Sequence, residues 1–226
     1  MKKFRLVFYI PDKKDGSHVD DMIGNYTLLL NRIGSIATLD FERLKVLKIL
    51  YSSHEELHTP NEGNFFYTTS LGRPEMYLGK SWTATMGQLG GKDRKGSGVC
   101  CRPASEVFKN PERWFYAEFE VSDFGYKQMT DMMQVELEAN QGYDVKMILN
   151  FFLPLGIGEK DKWICSEFCN HHAKIGMKYT PVNYVLKRIT NKLLDTMSPL
   201  LSATTLHYCG VDFYTMDGNL LLAGKK

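Results

Sequence analysis

The sequence predicts an α+β fold in which a small antiparallel sheet packs against helices. Three observations predict it. Hydrophobic residues make up 43% of the 226 residues and charged residues 24%, the balance of a globule that buries its own core. Strand-like and helix-like periods are both present but segregated, in the order β, α, several β, then α. The longest apolar stretch, Met147 to Ile157, is broken by Asn150 and Pro154 and is too short to cross a bilayer.

Phe4 to Ile10 is rich in β-branched and aromatic residues and is stopped by Pro11, so it reads as a first strand. Val19 to Ile33 carries apolar residues at 19, 22, 23, 26, 29, 30 and 33, the spacing of a helix. Phe41 to Leu50 reads as a helix that feeds a strand at Tyr51 to Leu57. From about residue 60 to 103 the chain is rich in Gly and Thr. Short aromatic or apolar runs there, at Phe65–Thr69, Glu75–Tyr77, Trp82–Thr85 and Val99–Arg102, suggest strands joined by glycine turns. Trp114 to Val121 partly alternates apolar and acidic positions, another strand. Helices are then expected at Gln128–Asn140, Tyr143–Phe152, Cys165–Ile175 and Val182–Met197. Gly176 suits the C′ position of the third of these. The remaining tail reads as short strands or loop.

Lys and Arg total 28 against 26 Asp and Glu, a formal net charge of +2. No nucleic-acid partner is expected from that balance. The first residues, MKKFRLVFYIPDKKD, lack a signal peptide's uninterrupted apolar core and small-residue cleavage site, so a cytoplasmic location is expected. The five cysteines, Cys100, Cys101, Cys165, Cys169 and Cys209, are an odd set and read as reduced thiols rather than a disulfide framework. No cofactor is expected: the Gly87 and Gly156 segments lack Walker and dinucleotide spacing.

His54-Glu-Glu-Leu-His58 matches H-E-x-x-H as a string. The zincin version needs a helix, and Ser52-Ser53 before it and Thr59-Pro60 after it leave little room for one. Cys165, Cys169, His171 and His172 form a second metal candidate, but structural zinc wants a second spaced pair, and Cys100-Cys101 is adjacent. No metal is therefore assigned, and a zinc protein stays as a minor alternative.

Lys162-Trp-Ile-Cys165-Ser-Glu-Phe-Cys169 places Cys165 at a helix start. There the helix dipole and unpaired N–H groups favour thiolate over thiol, and the same N–H groups can hold an oxyanion. Cys169 lies one turn on, where a thiol is more often core. The matching base would be His54: in a strand, period two puts His54 and Glu56 on one face, and a carboxylate beside an imidazole fixes its tautomer. Alternatively both side chains lie on a solvated sheet face.

Together these segments resemble the circularly permuted papain-like hydrolases of the YiiX/YaeF type, within the NlpC and lecithin:retinol acyltransferase group. In that family a Ser-His-x-Glu strand precedes a Cys-Ser-Glu helix. Tyr51-Ser-Ser-His54-Glu-Glu56-Leu resembles the first motif and Trp163-Ile-Cys165-Ser166-Glu167-Phe the second. Between them, Trp82 to Val99 resembles the family's Ser/Ala strand and Gly-Val hairpin, and Gly142-Tyr143-Asp144 its Tyr-Asp. Asp21 to Thr27 resembles the helix before the histidine strand. The likeness covers about residues 4 to 177. It implies a permuted papain-like catalytic domain over 1–180, with insertions near 30–50 and 58–80, followed by a helical extension and tail over 181–226. It departs from the family in an extra Ser in the histidine motif and in those insertions. Ser17-His18-Val-Asp offers His18 as the second-ranked histidine.

The resemblance implies a cysteine hydrolase or acyltransferase acting on an amide, ester or thioester. Cys165 would be the nucleophile, His54 the base and Glu56 its orienting partner, with Glu55 as the fallback, and the Cys165 N–H would serve the oxyanion. Tyr143 would lie near the site without an assigned step. Substrates would be small molecules, peptides or lipid acyl groups, and a phage-delivered enzyme would need no export signal. Phe65-Phe66-Tyr67 and Met76-Tyr77 could line an acyl cleft or belong to the core. The alternative from another class is a non-catalytic structural or binding protein that keeps the fold.

Overall fold

The computed structural model describes residues 1–11, 18–37, 40–60, 62, 76–85, 98–144, 162–181, 184–193 and 197–225, with the side chains of 18–24, 27 and 37 outside that description. These residues form an α+β structure with seven α-helices among them. The first half contributes β1 (Lys2–Tyr9), α1 (His18–Ala37), α2 (Phe41–Ile49), β2 (His54–Thr59), β3 (Lys80–Thr85), β4 (Gly98–Pro103), the short α3 (Ala104–Val107) and β5 (Trp114–Val121). The second half contributes α4 (Asp123–Glu138), β6 (Gly142–Tyr143), β7 (Lys162–Trp163), α5 (Cys165–Lys178), α6 (Tyr184–Lys192), α7 (Pro199–Tyr208), β8 (Phe213–Thr215) and β9 (Leu220–Leu222).

Seven strands form one sheet in the order β4-β3-β2-β1-β5-β8-β9, antiparallel at each described pairing. Strand register decides what each face carries, because cross-strand partners point to the same side. Leu6 lies opposite Leu57 and Phe8 opposite Glu55. This face, with Phe4, Trp82, Ala84, Phe115 and Phe119, forms the main core, which α4 and α5 cover with Met129, Met133, Phe168 and Ala173. On the other face Arg5, Val7 and Tyr9 pair with His58, Glu56 and His54. A smaller core there joins Val7, Tyr116 and Trp114 to Phe108, Met76 and Tyr77. Met76 and Tyr77 are thus packing residues and form no strand. Phe65 to Tyr67 and the expected strand around them lie outside the described residues.

Several elements differ from the sequence expectation. Helix α4 starts at Asp123, five residues before Gln128, because Ser122 caps it: the Gly125 N–H donates to Ser122 Oγ at 3.0 Å. Helix α5 runs through Gly176 to Lys178, so Gly176 is an interior residue and not a C′ stop. It faces α4 there: a Cβ on Gly176 would meet Met129 Sδ at 3.2 Å, and a Cβ on Gly125 of α4 would stand 2.3 Å from the Gly176 carbonyl oxygen. Tyr143 belongs to a two-residue strand rather than a helix start, because Gly142 and Tyr143 pair in parallel with Lys162 and Trp163. Residues 145–161, the rest of that expected helix, are outside the described set. In the tail, Pro199–Tyr208 is a helix rather than loop. Ser198 is its N-cap and Pro199 occupies its first turn. Strand β8 then joins the sheet beside β5.

Candidate active site

The site forms at the start of β2, where α5 brings its N-terminus to the strand. Strand β2 alternates its side chains. His54, Glu56 and His58 face the Val7 side, and Glu55 and Leu57 face the α5 side. The expectation that His54 and Glu56 share a face agrees with this register. The solvated alternative does not, since His54 is 4% exposed and Glu56 0%.

Cys165 is the first residue of α5, and the Ile164 side chain before it supplies no cap. The approach to Cys165 is set by the β6–β7 pair: the Asp144 N–H donates to the Trp163 carbonyl at 3.0 Å. That pair is tied to the main sheet by the Val99 N–H, which donates to the Gln141 carbonyl at 2.9 Å. The tie demands glycine next door. Gly98 has φ +144°, and a Cβ there would meet the Gln141 carbonyl oxygen at 2.2 Å.

His54 joins the two halves. Its Nε2–H donates to Glu56 Oε1 at 3.0 Å, and Cys165 lies close enough to act electrostatically on the ring. With Nε2 engaged by Glu56, Nδ1 is the nitrogen left for the thiol. Burial opposes a charge on His54, but the neighbouring Cys165 and the Glu56 carboxylate outweigh it. They hold the imidazolium well above the usual 6.5.

Glu56 is itself held on three sides. Ser81 Oγ donates to Oε2 at 2.7 Å, and Arg102 Nη2 donates to Oε1, the oxygen that His54 also uses. Burial would favour the neutral acid, yet the Arg102 charge, His54 and Ser81 overcome it and bring Glu56 down to about 2. Glu56 is therefore a carboxylate inside the protein. Arg102 and Ser81 were not singled out in the sequence. Only the register Ser81↔Arg102, one strand beyond β2, puts both on the Glu56 face.

Glu55 behaves in the opposite way. It is fully buried under α5, and neither carboxyl oxygen has a close hydrogen-bond partner among the described residues. Burial and the negative charge of Cys165 push it well above 4.5, against the weaker pull of the Ser202 hydroxyl and His54. Its backbone carbonyl accepts from Thr83 Oγ1 at 2.8 Å and from Cys169 Sγ at 3.5 Å. Cys169 is thus a protonated core thiol, raised well above 9.0 by burial and by its neighbours Glu55 and Cys165. All five cysteines are free.

His18 opens α1, and its side chain is outside the described residues. Tyr143 is half-buried in β6. His58 Nε2 donates to the Leu78 carbonyl at 2.7 Å, so H-E-x-x-H is here a strand with its second imidazole engaged by backbone. His172 Nδ1 donates to the Phe168 carbonyl at 2.8 Å, and its Nε2 stands 3.3 Å from Glu136. Among the described residues no three His, Cys, Asp or Glu side chains converge as a metal site.

A cleft of about 170 Å³ opens beside His54, walled by Tyr9, Glu56, Arg102, Asn110 and Trp114. No helix among the described residues is long and apolar enough to cross a membrane. What the arrangement can do chemically is move a proton between a thiol and an imidazole whose other nitrogen is anchored on a buried carboxylate. No family model, curated protein or solved structure matches this chain.

Proposed function

We propose that this chain is a cysteine hydrolase or acyltransferase of permuted papain-like type, acting on an amide, ester or thioester. The observation that carries the reading is buried His54, which is hydrogen-bonded to Glu56 and lies within electrostatic reach of Cys165 at the start of α5. Its chain order, histidine strand before cysteine helix, is the permuted one. The catalytic unit is read over residues 1–180, with 181–226 as its extension.

In the proposed reaction His54 Nδ1 takes the Cys165 proton, and the thiolate attacks the substrate carbonyl carbon. The S–C bond forms as the carbonyl electrons move to oxygen, where the Cys165 N–H stabilises the oxyanion. The carbonyl re-forms, the bond to the leaving group breaks, and His54 gives that group its proton. A water, or an acceptor hydroxyl or amine, then attacks the acyl-thioester and loses its proton to His54. Transfer of that proton to the departing sulfur restores Cys165. Glu56 holds the imidazole by Nε2 throughout.

The test is alkylation of Cys165 by a small iodoacetamide-type reagent, followed by mass spectrometry from pH 5 to 9, on the parent and on His54→Ala. A Cys165 that reacts at pH 6 in the parent and about tenfold slower in the variant supports the pair. Equal rates in the two proteins would remove His54 from the reading. A Cys165 inert in both would favour a non-catalytic binding protein.

A further inference from the structure

Arg102 carries an inference that rests on the reading of Cys165, His54 and Glu56 as one site. It stands on β4, two strands away from His54, yet its guanidinium reaches the same carboxylate oxygen that His54 uses. The row of cross-strand partners makes this contact a product of the fold. Ser81 lies opposite Arg102 and also opposite His58, so Arg102, Ser81, Glu56 and His54 share one face of the sheet. The Arg102 side chain is 14% exposed and Glu56 is 0% exposed, so the pair meets with little water to screen it. Arg102 also walls the cleft onto which His54 opens.

A carboxylate in this position faces two cations, Arg102 and protonated His54, and the two compete for one oxygen. With Arg102 present, Glu56 is an anion whether or not His54 carries a proton. Without it, the imidazolium would be the only cation among the described residues to pair with Glu56 and would be held more tightly. We propose that Arg102 is a positioning residue of the nucleophile site: it fixes Glu56 as an anion behind His54 and so sets how readily the imidazole facing Cys165 gives up its proton. Among the described residues, the other titratable groups around His54 are Cys165 on α5, Glu55 on β2 and Tyr9 on β1, its cross-strand partner. Those near Arg102 are Glu106 on α3 and Cys100 on β4.

The test is an NMR titration of the His54 ring, assigned by its loss in His54→Ala, in the parent, Arg102→Lys and Arg102→Gln. Lys keeps the charge, and Gln keeps only an N–H donor toward Glu56, so both retain a partner for the buried carboxylate and are expected to fold. Arg102→Gln is expected to raise the His54 midpoint by about half a pH unit or more, with Arg102→Lys close to the parent. A midpoint in folded Arg102→Gln that is unmoved or lower would overturn the proposal, as would equal shifts in Gln and Lys. The readout needs no substrate. A failed Cys165–His54 pairing shows in the alkylation of His54→Ala, whereas a failed role for Arg102 shows in this titration with that pairing intact.

Discussion

His54 Nε2 and Glu56 Oε1 stand 3.0 Å apart on one face of a single strand, while Glu55 between them points through the other face of the sheet. Two adjacent carboxyl groups thereby receive opposite treatment. Glu56 meets Arg102, Ser81 and His54, and its folded value of about 2 lies below the 4.5 expected in an unfolded chain. Stability from Glu56 is present above pH 4.5 and is lost as pH falls toward 2. Glu55 meets an apolar core and the Cys165 charge, and its folded value lies above 4.5. Its contribution is full below pH 4.5 and declines as pH rises through the folded value.

Replacing Glu55 by Gln keeps the shape of the side chain and removes its titration. Glu55→Gln is expected to melt about 3 °C or more above the parent at pH 8, with the gap closing toward pH 5. Glu56→Gln should show the reverse, melting below the parent at neutral pH because it strips Arg102 of its counter-ion. Thermal melts of the three proteins at pH 5 and pH 8 check the sign. A Glu55→Gln protein less stable than the parent at pH 8 would mean that Glu55 is ionised and paired in the fold.

How much of this was legible in the sequence depends on the range of the interaction. The His54/Glu56 face follows from period two, and the start of α5 at Cys165 follows from the break after Trp163-Ile164. Both are local. Arg102 and Ser81 belong to the site through pairings across β2, β3 and β4, and no local pattern encodes the pairing of His58 with Ser81 or of Ser81 with Arg102, each more than twenty residues apart. Helix α7 is a different kind of omission. Ser198-Pro199 is a start signal present in the sequence, but the residues after it show no amphipathic stripe, because six of them are buried. Gly176 misled for a third reason: its lack of a side chain answers to a neighbouring helix rather than to its own helix end.

The α4–α5 crossing makes a second expectation. A Cβ at Gly125 would collide with backbone, the Gly176 carbonyl oxygen at 2.3 Å, whereas one at Gly176 would meet the flexible end of Met129, Sδ at 3.2 Å. Gly125→Ala should therefore push α4 away from the helix that carries Cys165 and cost about 1–3 kcal/mol. Gly176→Ala should cost distinctly less, since the Met129 thioether can shift. Urea unfolding checks this through the midpoints at unchanged slope. Equal costs at the two positions would show that the crossing is not limited by the backbone contact.

His58 separates the metal reading from the nucleophile reading. Its Nε2 must carry the proton, because the Leu78 carbonyl at 2.7 Å can only accept. Its Nδ1 then stands as an acceptor 3.4 Å from Arg5 Nη1. Burial first, and the Arg5 charge second, lower this imidazole to about 3. A neutral histidine that titrates near 6.5 when unfolded gives stability that is present above pH 6.5 and is lost as pH falls toward 3. His58→Gln, which can still donate to one partner and accept from the other, should unfold at lower pH than the parent on acid titration. It should leave the alkylation profile of Cys165 unchanged, since His58 lies four residues along the strand from His54 and bonds to Leu78 and Arg5. Neither zinc nor a chelator should move the melting temperature of the parent, because the lone pair a metal needs on His58 Nε2 is occupied by a proton held on the backbone. A zinc-dependent rise in melting temperature that disappears in His58→Gln would restore the metal reading of His54 and His58.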